Sequence, residues 1–130
     1  MEKISLMDKY PVYRKEILKT ETDIKNTDEF VSKIKEKIKN DKIVVFIWVF
    51  DHYSHTKNIW GEINENIIDG KILVFCFWQE LPKAEVMGIR PRNIAIAEFE
   101  DKFVITFLEA PKEKANEKMS NWILEEITNN

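Results

Sequence analysis

The sequence predicts an α+β domain with a largely antiparallel five-stranded sheet and two helices, in the order β-α-β-β-β-β-α. Two segments, one early and one near the C-terminal end, repeat apolar residues at helical spacing. Between them the pattern changes to short apolar runs rich in Val, Ile and aromatic residues. Strands that follow one another with few helices between them favour antiparallel pairing over a doubly wound parallel sheet.

Residues 12–22 carry Val12, Tyr13, Ile17, Leu18 and two threonines, and read as an edge strand. Asn26-Thr27-Asp28-Glu29 then sets an N-cap residue three positions before a Glu, and Phe30, Val31, Ile34 and Ile38 follow at helical spacing. This predicts a helix over 27–40, with Lys33, Lys35, Glu36, Lys37 and Lys39 as its solvated face. The runs 43–50 and 72–78 are too short and too apolar for surface helices and read as central strands. Residues 93–100 and 103–108, separated by Asp101-Lys102, read as a hairpin. Pro111 suits a first helical turn, and Ala115, Met119, Trp122, Ile123 and Ile127 make the apolar stripe of a second helix. Two helices cover one face of such a sheet. The strands at 43–50 and 72–78 are apolar at nearly every position, so the other face needs cover as well. The sheet curling on itself, the long connection 58–70 or a second subunit would supply it.

At 130 residues the chain fits a single domain, residues 1–130, because a second core would be too small to hold itself together. Three glycines and four prolines leave no flexible linker. The 20 basic and 23 acidic residues are dispersed, which builds no single-sign field and argues against nucleic acid as a partner. Cys76 stands alone in an apolar run and reads as a small buried residue in a reducing, cytoplasmic setting. The first nine residues lack the apolar core of a signal peptide. The longest apolar run falls short of the ~20 residues that cross a bilayer, so no membrane association is expected.

Chemistry concentrates in Asp51-His52-Tyr53-Ser54-His55-Thr56, directly after the apolar run. Histidine suits proton transfer and divalent metals near neutral pH. His52, His55 and Asp51 are therefore the catalytic candidates, with Asp51 orienting a ring. His52, His55, Asp51 and Glu62, with Cys76 if the register allows, are the candidate ligands for a divalent metal. The plainer reading is a pair of histidines hydrogen-bonded at a strand end. On a regular strand residues three apart point to opposite faces, so the two rings converge only if the chain turns after Asp51.

Arg90-Pro91-Arg92 presents two guanidiniums suited to an anionic small molecule. Pairing of Arg90 and Arg92 with Glu98, Glu109 or Asp51 is the structural alternative. Trp60 stands in a polar segment, where an aromatic side chain is a loop anchor, a pocket lid or part of an interface. With Tyr53 it completes the candidate ligand-binding residues. No Gly-rich phosphate loop and no nucleophile elbow is present in the sequence.

Met7-Asp8-Lys9-Tyr10-Pro11, the FDHYSHT segment 50–56, Phe75-Cys76-Phe77 through Leu81-Pro82, Arg90-Pro91-Arg92 and the segment 103–111 containing FLEAP together resemble a family of small bacterial proteins of unknown function. The resemblance implies a single-domain, bacterial, cytoplasmic protein and carries no activity. The expected function is a small ligand-binding domain that self-associates as a homodimer. The alternatives are an enzyme combining His52 or His55 with Arg90 or Arg92 on an anionic substrate, and an interaction subunit with the Trp60 loop as its handle.

Overall fold

A computed structural model describes residues 1–128 of the chain. The described residues form six strands: β1 (Glu2–Leu6), β2 (Tyr10–Leu18), β3 (Val44–Phe50), β4 (Asp69–Phe77), β5 (Arg92–Glu98) and β6 (Lys102–Leu108). They form one sheet in the order β1-β2-β6-β5-β4-β3, antiparallel at every pairing. Three α-helices accompany it: α1 (Thr27–Lys39), α2 (His52–Asn58) and α3 (Glu113–Leu124). The α+β class and the antiparallel sheet are as expected, whereas the sheet has six strands rather than five and α2 is an additional helix.

The sixth strand comes from the N-terminal residues, where Ile4 and Leu6 alternate with Lys3 and Ser5 on a segment whose charge had masked the period. Met7 and Asp8 both take positive φ in the connecting turn, and the Lys9 amide donates to the Leu6 carbonyl at 3.1 Å. β2 is thereby an interior strand, not the edge expected of it. β3 occupies the opposite edge rather than the centre, despite its apolar run.

Alternation assigns the two faces. Leu73, Phe75 and Phe77 of β4, Ile94 and Ile96 of β5, and Phe103, Ile105 and Phe107 of β6 are buried in one core with Phe30, Ile34 and Ile38 of α1 and Met119, Trp122 and Ile123 of α3. Asn26 caps α1 as its sequence predicts, accepting from the Glu29 amide at 2.9 Å. Lys37, expected on a solvated face, instead joins the helices. Its ammonium meets Glu126 at 2.7 Å and the Trp122 carbonyl at 3.0 Å. Ile127 lies beyond α3 but packs against the same core.

Glu98 ends the core face of β5 and is buried. It accepts from the Thr27 amide at 2.8 Å, the Thr27 hydroxyl at 2.9 Å and the Lys19 ammonium at 2.7 Å. Glu98 is thus matched to Lys19 and the start of α1, not to an arginine. Burial pushes its carboxyl up, but these three donors outweigh that and hold it below the usual carboxylate range.

Candidate functional site

The face away from α1 and α3 is treated differently along its width. Toward β1 and β2 it is solvated, with Arg14 bonded to Glu16 at 3.0 Å and Lys102 to Glu16 at 2.7 Å. In the middle it is built from small residues. Gly70 of β4 pairs with Ala97 of β5, which pairs with Val104 of β6; one pleat along, Ile72, Ala95 and Thr106 form a second row. Over these two rows lie α2 and the connection 59–68.

The chain does turn after Asp51. Asp51 is the N-cap of α2, its carboxylate accepting from the Ser54 amide at 3.1 Å. This arrangement was legible as an Asp three residues before a Ser at the close of an apolar run. Burial works against ionisation of Asp51, yet the Ser54 amide and hydroxyl and the charge of Lys71 keep its carboxyl below the ordinary value. The side chain is engaged in capping and hydrogen-bonds to neither imidazole, so the expected ring-orienting role is not built.

His52, Tyr53 and Thr56 of α2 roof a cavity of about 380 Å³ whose floor is Gly70, Ile72, Ala95, Ala97, Val104 and Thr106. Ile63 and Ile67 add apolar wall; Glu62 and Asn64 add polar groups to the rim. His52 Nδ1 lies 2.9 Å from Thr56 Oγ1, one helical turn on, which fixes the ring and leaves Nε2 as the nitrogen without a hydrogen-bond partner among the described residues. The arrangement suits a small molecule that is mostly apolar, with one or two polar groups. Small floor residues create the space, since any large side chain at 95 or 97 would occupy it.

His55 does not line this cavity. Its ring packs on Phe50 at 5.4 Å, beside the contacts of Phe50 with His52 at 5.1 Å and Trp48 at 5.8 Å. Among the described residues no three His, Cys, Asp or Glu side chains converge as metal ligands. Cys76 is half-buried on β4, outside the cavity lining, its thiol 3.5 Å from the Phe77 carbonyl. Trp60 is 94% exposed, with φ of 60°, just past α2.

Arg90 and Arg92 stand on the other side of the sheet. Arg92 shares the core face of β5 with Ile94 and Ile96, pairing with the buried Phe75. Arg92 donates to the carbonyls of Leu108 at 2.7 Å, Glu109 at 3.1 Å and Ile89 at 3.3 Å; Arg90 donates to the Glu80 carbonyl at 2.8 Å. Among the described residues neither arginine pairs with Glu98, Glu109 or Asp51, the alternative the sequence offered; both instead tie neighbouring segments together through carbonyl groups. They line a second cavity that shares no residue with the first. The expected cooperation of a histidine with Arg90 or Arg92 on one substrate is therefore not built by this fold.

A family model described as a family of unknown function matches residues 1–128. No curated protein matches the chain. The crystal structure of an uncharacterized conserved DUF302 protein from Bacillus stearothermophilus is similar in fold, with a TM-score of 0.54 and 16% identity over 84% of this chain and 80% of that one. At that identity the likeness concerns the fold alone. Among the described residues no helix is long and apolar enough to cross a membrane.

Proposed function

The chain belongs to the DUF6858 family, a family of unknown function, and from that premise we propose that it is a one-domain, cytoplasmic binding module for a small, largely apolar molecule. The observation that supports this is the row of small residues under α2. Ala95 and Ala97 hold open a cavity of about 380 Å³ at the middle of a sheet whose other face is filled by Phe and Ile. An open cleft of this size with an apolar floor, beside a fixed imidazole and a tyrosine, has the make-up of a small-molecule site.

Indole, an apolar ring system with one donor, tests the reading. Titrated into the full chain, it is expected to shift the methyl resonances of Ala95 and Ala97 saturably, and Ala97→Leu is expected to remove the effect. Saturable binding that persists in Ala97→Leu, or no shift at either methyl, overturns it.

A second reading, that the chain works as a homodimer, is favoured by the edge strand β3. Val45, Ile47 and Trp48 are about half exposed there, beside unpaired backbone groups. A long apolar edge is a ready template for another strand. A second copy would cover it, and the test is the concentration dependence of the sedimentation coefficient.

A further inference from the structure

The second cavity, of about 140 Å³, lies at the end of the sheet where β4, β5 and the start of α3 meet. Arg90, Arg92 and Lys112 line it, and among the described residues none of the three has a carboxylate within 4 Å. The contrast with Glu98 is instructive. Arg92 and Glu98 sit on the same face of β5 at its two ends, and Glu98 has its counter-charge in Lys19 whereas Arg92 has only carbonyl groups. Arg92 Nε is buried and has no hydrogen-bond partner among the described residues. Burial lowers the pKa of this guanidinium from its ordinary value, and no neighbouring acid acts against that. Arg92 is half-buried, so its charge is partly desolvated without a counter-charge, a cost that a bound anion would offset.

The walls are apolar. Trp78 supplies one of them, held at φ of 45°, a strained conformation for a bulky residue. Its ring packs at 5.4 Å from Phe77 and lies 4.5 Å beneath the Lys112 ammonium. Val86 and Ile89 line the cavity with it. Strain and a half-buried guanidinium without a carboxylate partner thus fall in one place, independently of the cavity under α2.

We infer that this cavity binds a small organic carboxylate, the acid group meeting Arg92 and Arg90 while a single-ring or short-chain body rests against Trp78, Val86 and Ile89. The size sets the class: about 150 Å³ of apolar space accommodates a benzene ring, which excludes nucleotides. Arg92 Nη2 is already shared between the Leu108 and Glu109 carbonyls, so Arg92 contributes its charge while the remaining planar N–H donors of Arg90 match the carboxylate, and the neutral isostere of the same shape lacks that match.

The experiment titrates the full chain with benzoate, benzamide and inorganic phosphate, reading the Trp78 indole N–H in a nitrogen–proton correlation spectrum, assigned with Trp78→Phe. Benzoate is expected to shift it saturably and to bind about tenfold or more tighter than benzamide. Arg92→Gln is expected to weaken benzoate by about tenfold, and Arg90→Gln and Lys112→Gln by about threefold each. Because Arg92 also ties β5 to residues 108 and 109, the double variant Arg90→Gln/Lys112→Gln carries the test if Arg92→Gln does not fold. Benzamide binding as tightly as benzoate, phosphate binding as tightly, an unmoved Trp78, or unchanged benzoate affinity in the double variant each overturns the proposal.

Discussion

Asn116 grips both backbone groups of Ala110: the Ala110 amide donates to Asn116 Oδ1 at 2.7 Å, and Asn116 Nδ2 donates to the Ala110 carbonyl at 3.0 Å. Both residues are buried, so this one side chain satisfies the turn that carries the chain from β6 into α3. Asn116→Ala leaves two buried backbone groups unpaired. The expected loss is about 2–4 kcal/mol, read as a lower urea midpoint at unchanged slope. Asn116→Asp, which keeps the acceptor but buries a carboxylate against the Ala110 carbonyl and Glu113, is expected to lose at least as much at neutral pH and to recover as the pH falls.

The acid limb of the stability curve should report Glu98. Its folded-state pKa is depressed, so its contribution is complete above an unfolded value of about 4.3 and is lost as pH falls through the lower folded value. Asp41 acts in the same sense: burial raises its pKa, and the Lys118 ammonium at 2.7 Å with the Ile43 amide brings it below the ordinary value. Glu98→Gln is expected to be less stable at neutral pH, where Lys19 loses its partner, and to fall less steeply between pH ~5 and ~2.5. Urea titrations across that range check both halves. A parallel acid limb in the variant would remove Glu98 from the account.

Past α2, Trp60 occupies the left-handed position that glycine usually holds. Gly61 donates to the Thr56 carbonyl at 2.9 Å and Trp60 to the Lys57 carbonyl at 3.2 Å, the paired bonds of a Schellman ending. Trp60→Gly is expected to stabilise the chain by about 1 kcal/mol, since the exposed indole gives up little packing. Gly61→Ala is expected to destabilise it, because a Cβ there would lie 2.7 Å from Thr56 Cγ2 and 3.3 Å from the Thr56 carbonyl oxygen. Thermal melts of the two variants should move in opposite directions.

Filling the cavity under α2 separates folding from binding. Ala97→Leu is expected to raise stability by about 0.5–2 kcal/mol while abolishing the indole response. Stability lowered by overpacking would mean that the space is already occupied by its own walls.

Trp48→Lys at the β3 edge is expected to abolish any concentration-dependent sedimentation and to leave the thermal midpoint of the dilute protein nearly unchanged, since Trp48 is 53% exposed. Persistent association in the variant would move the contact elsewhere.

The two long helices were legible because Phe30, Val31, Ile34 and Ile38, and Ala115, Met119, Trp122 and Ile123, repeat at helical spacing and their burial follows that spacing. β1 was not, because a five-residue strand rich in charge gives little period to read. α2 was hidden for a different reason: seven polar residues have no apolar stripe, and the cap of Asp51 on Ser54 was the available signal. The apolar run at 43–50 indicated a strand but not its place in the sheet, which strand pairing alone determines. His52 and Tyr53 were found by residue type, whereas Gly70, Ala95 and Ala97 were missed, since small residues on a strand look the same whether they face packing or space. Two of the three carbonyl partners of Arg92, Leu108 and Glu109, lie on β6 and the turn that follows it, and no local pattern announces them.

Alternation along β5 makes that one strand a partition between two compartments. Arg92, Ile94 and Ile96 belong to the helix side, while Ala95 and Ala97 belong to the floor under α2. Loss or gain of a single residue within 93–97 would turn the isoleucines into the open cavity and the alanines into the core, filling one chamber and hollowing the other in a single event. A change of chain length in residues 59–68, outside the helices and strands, would lengthen the connection over the cavity without shifting either row beneath it. The strand is thereby closed to length change, and the flap above it is the part of the enclosure that can change without disturbing either compartment.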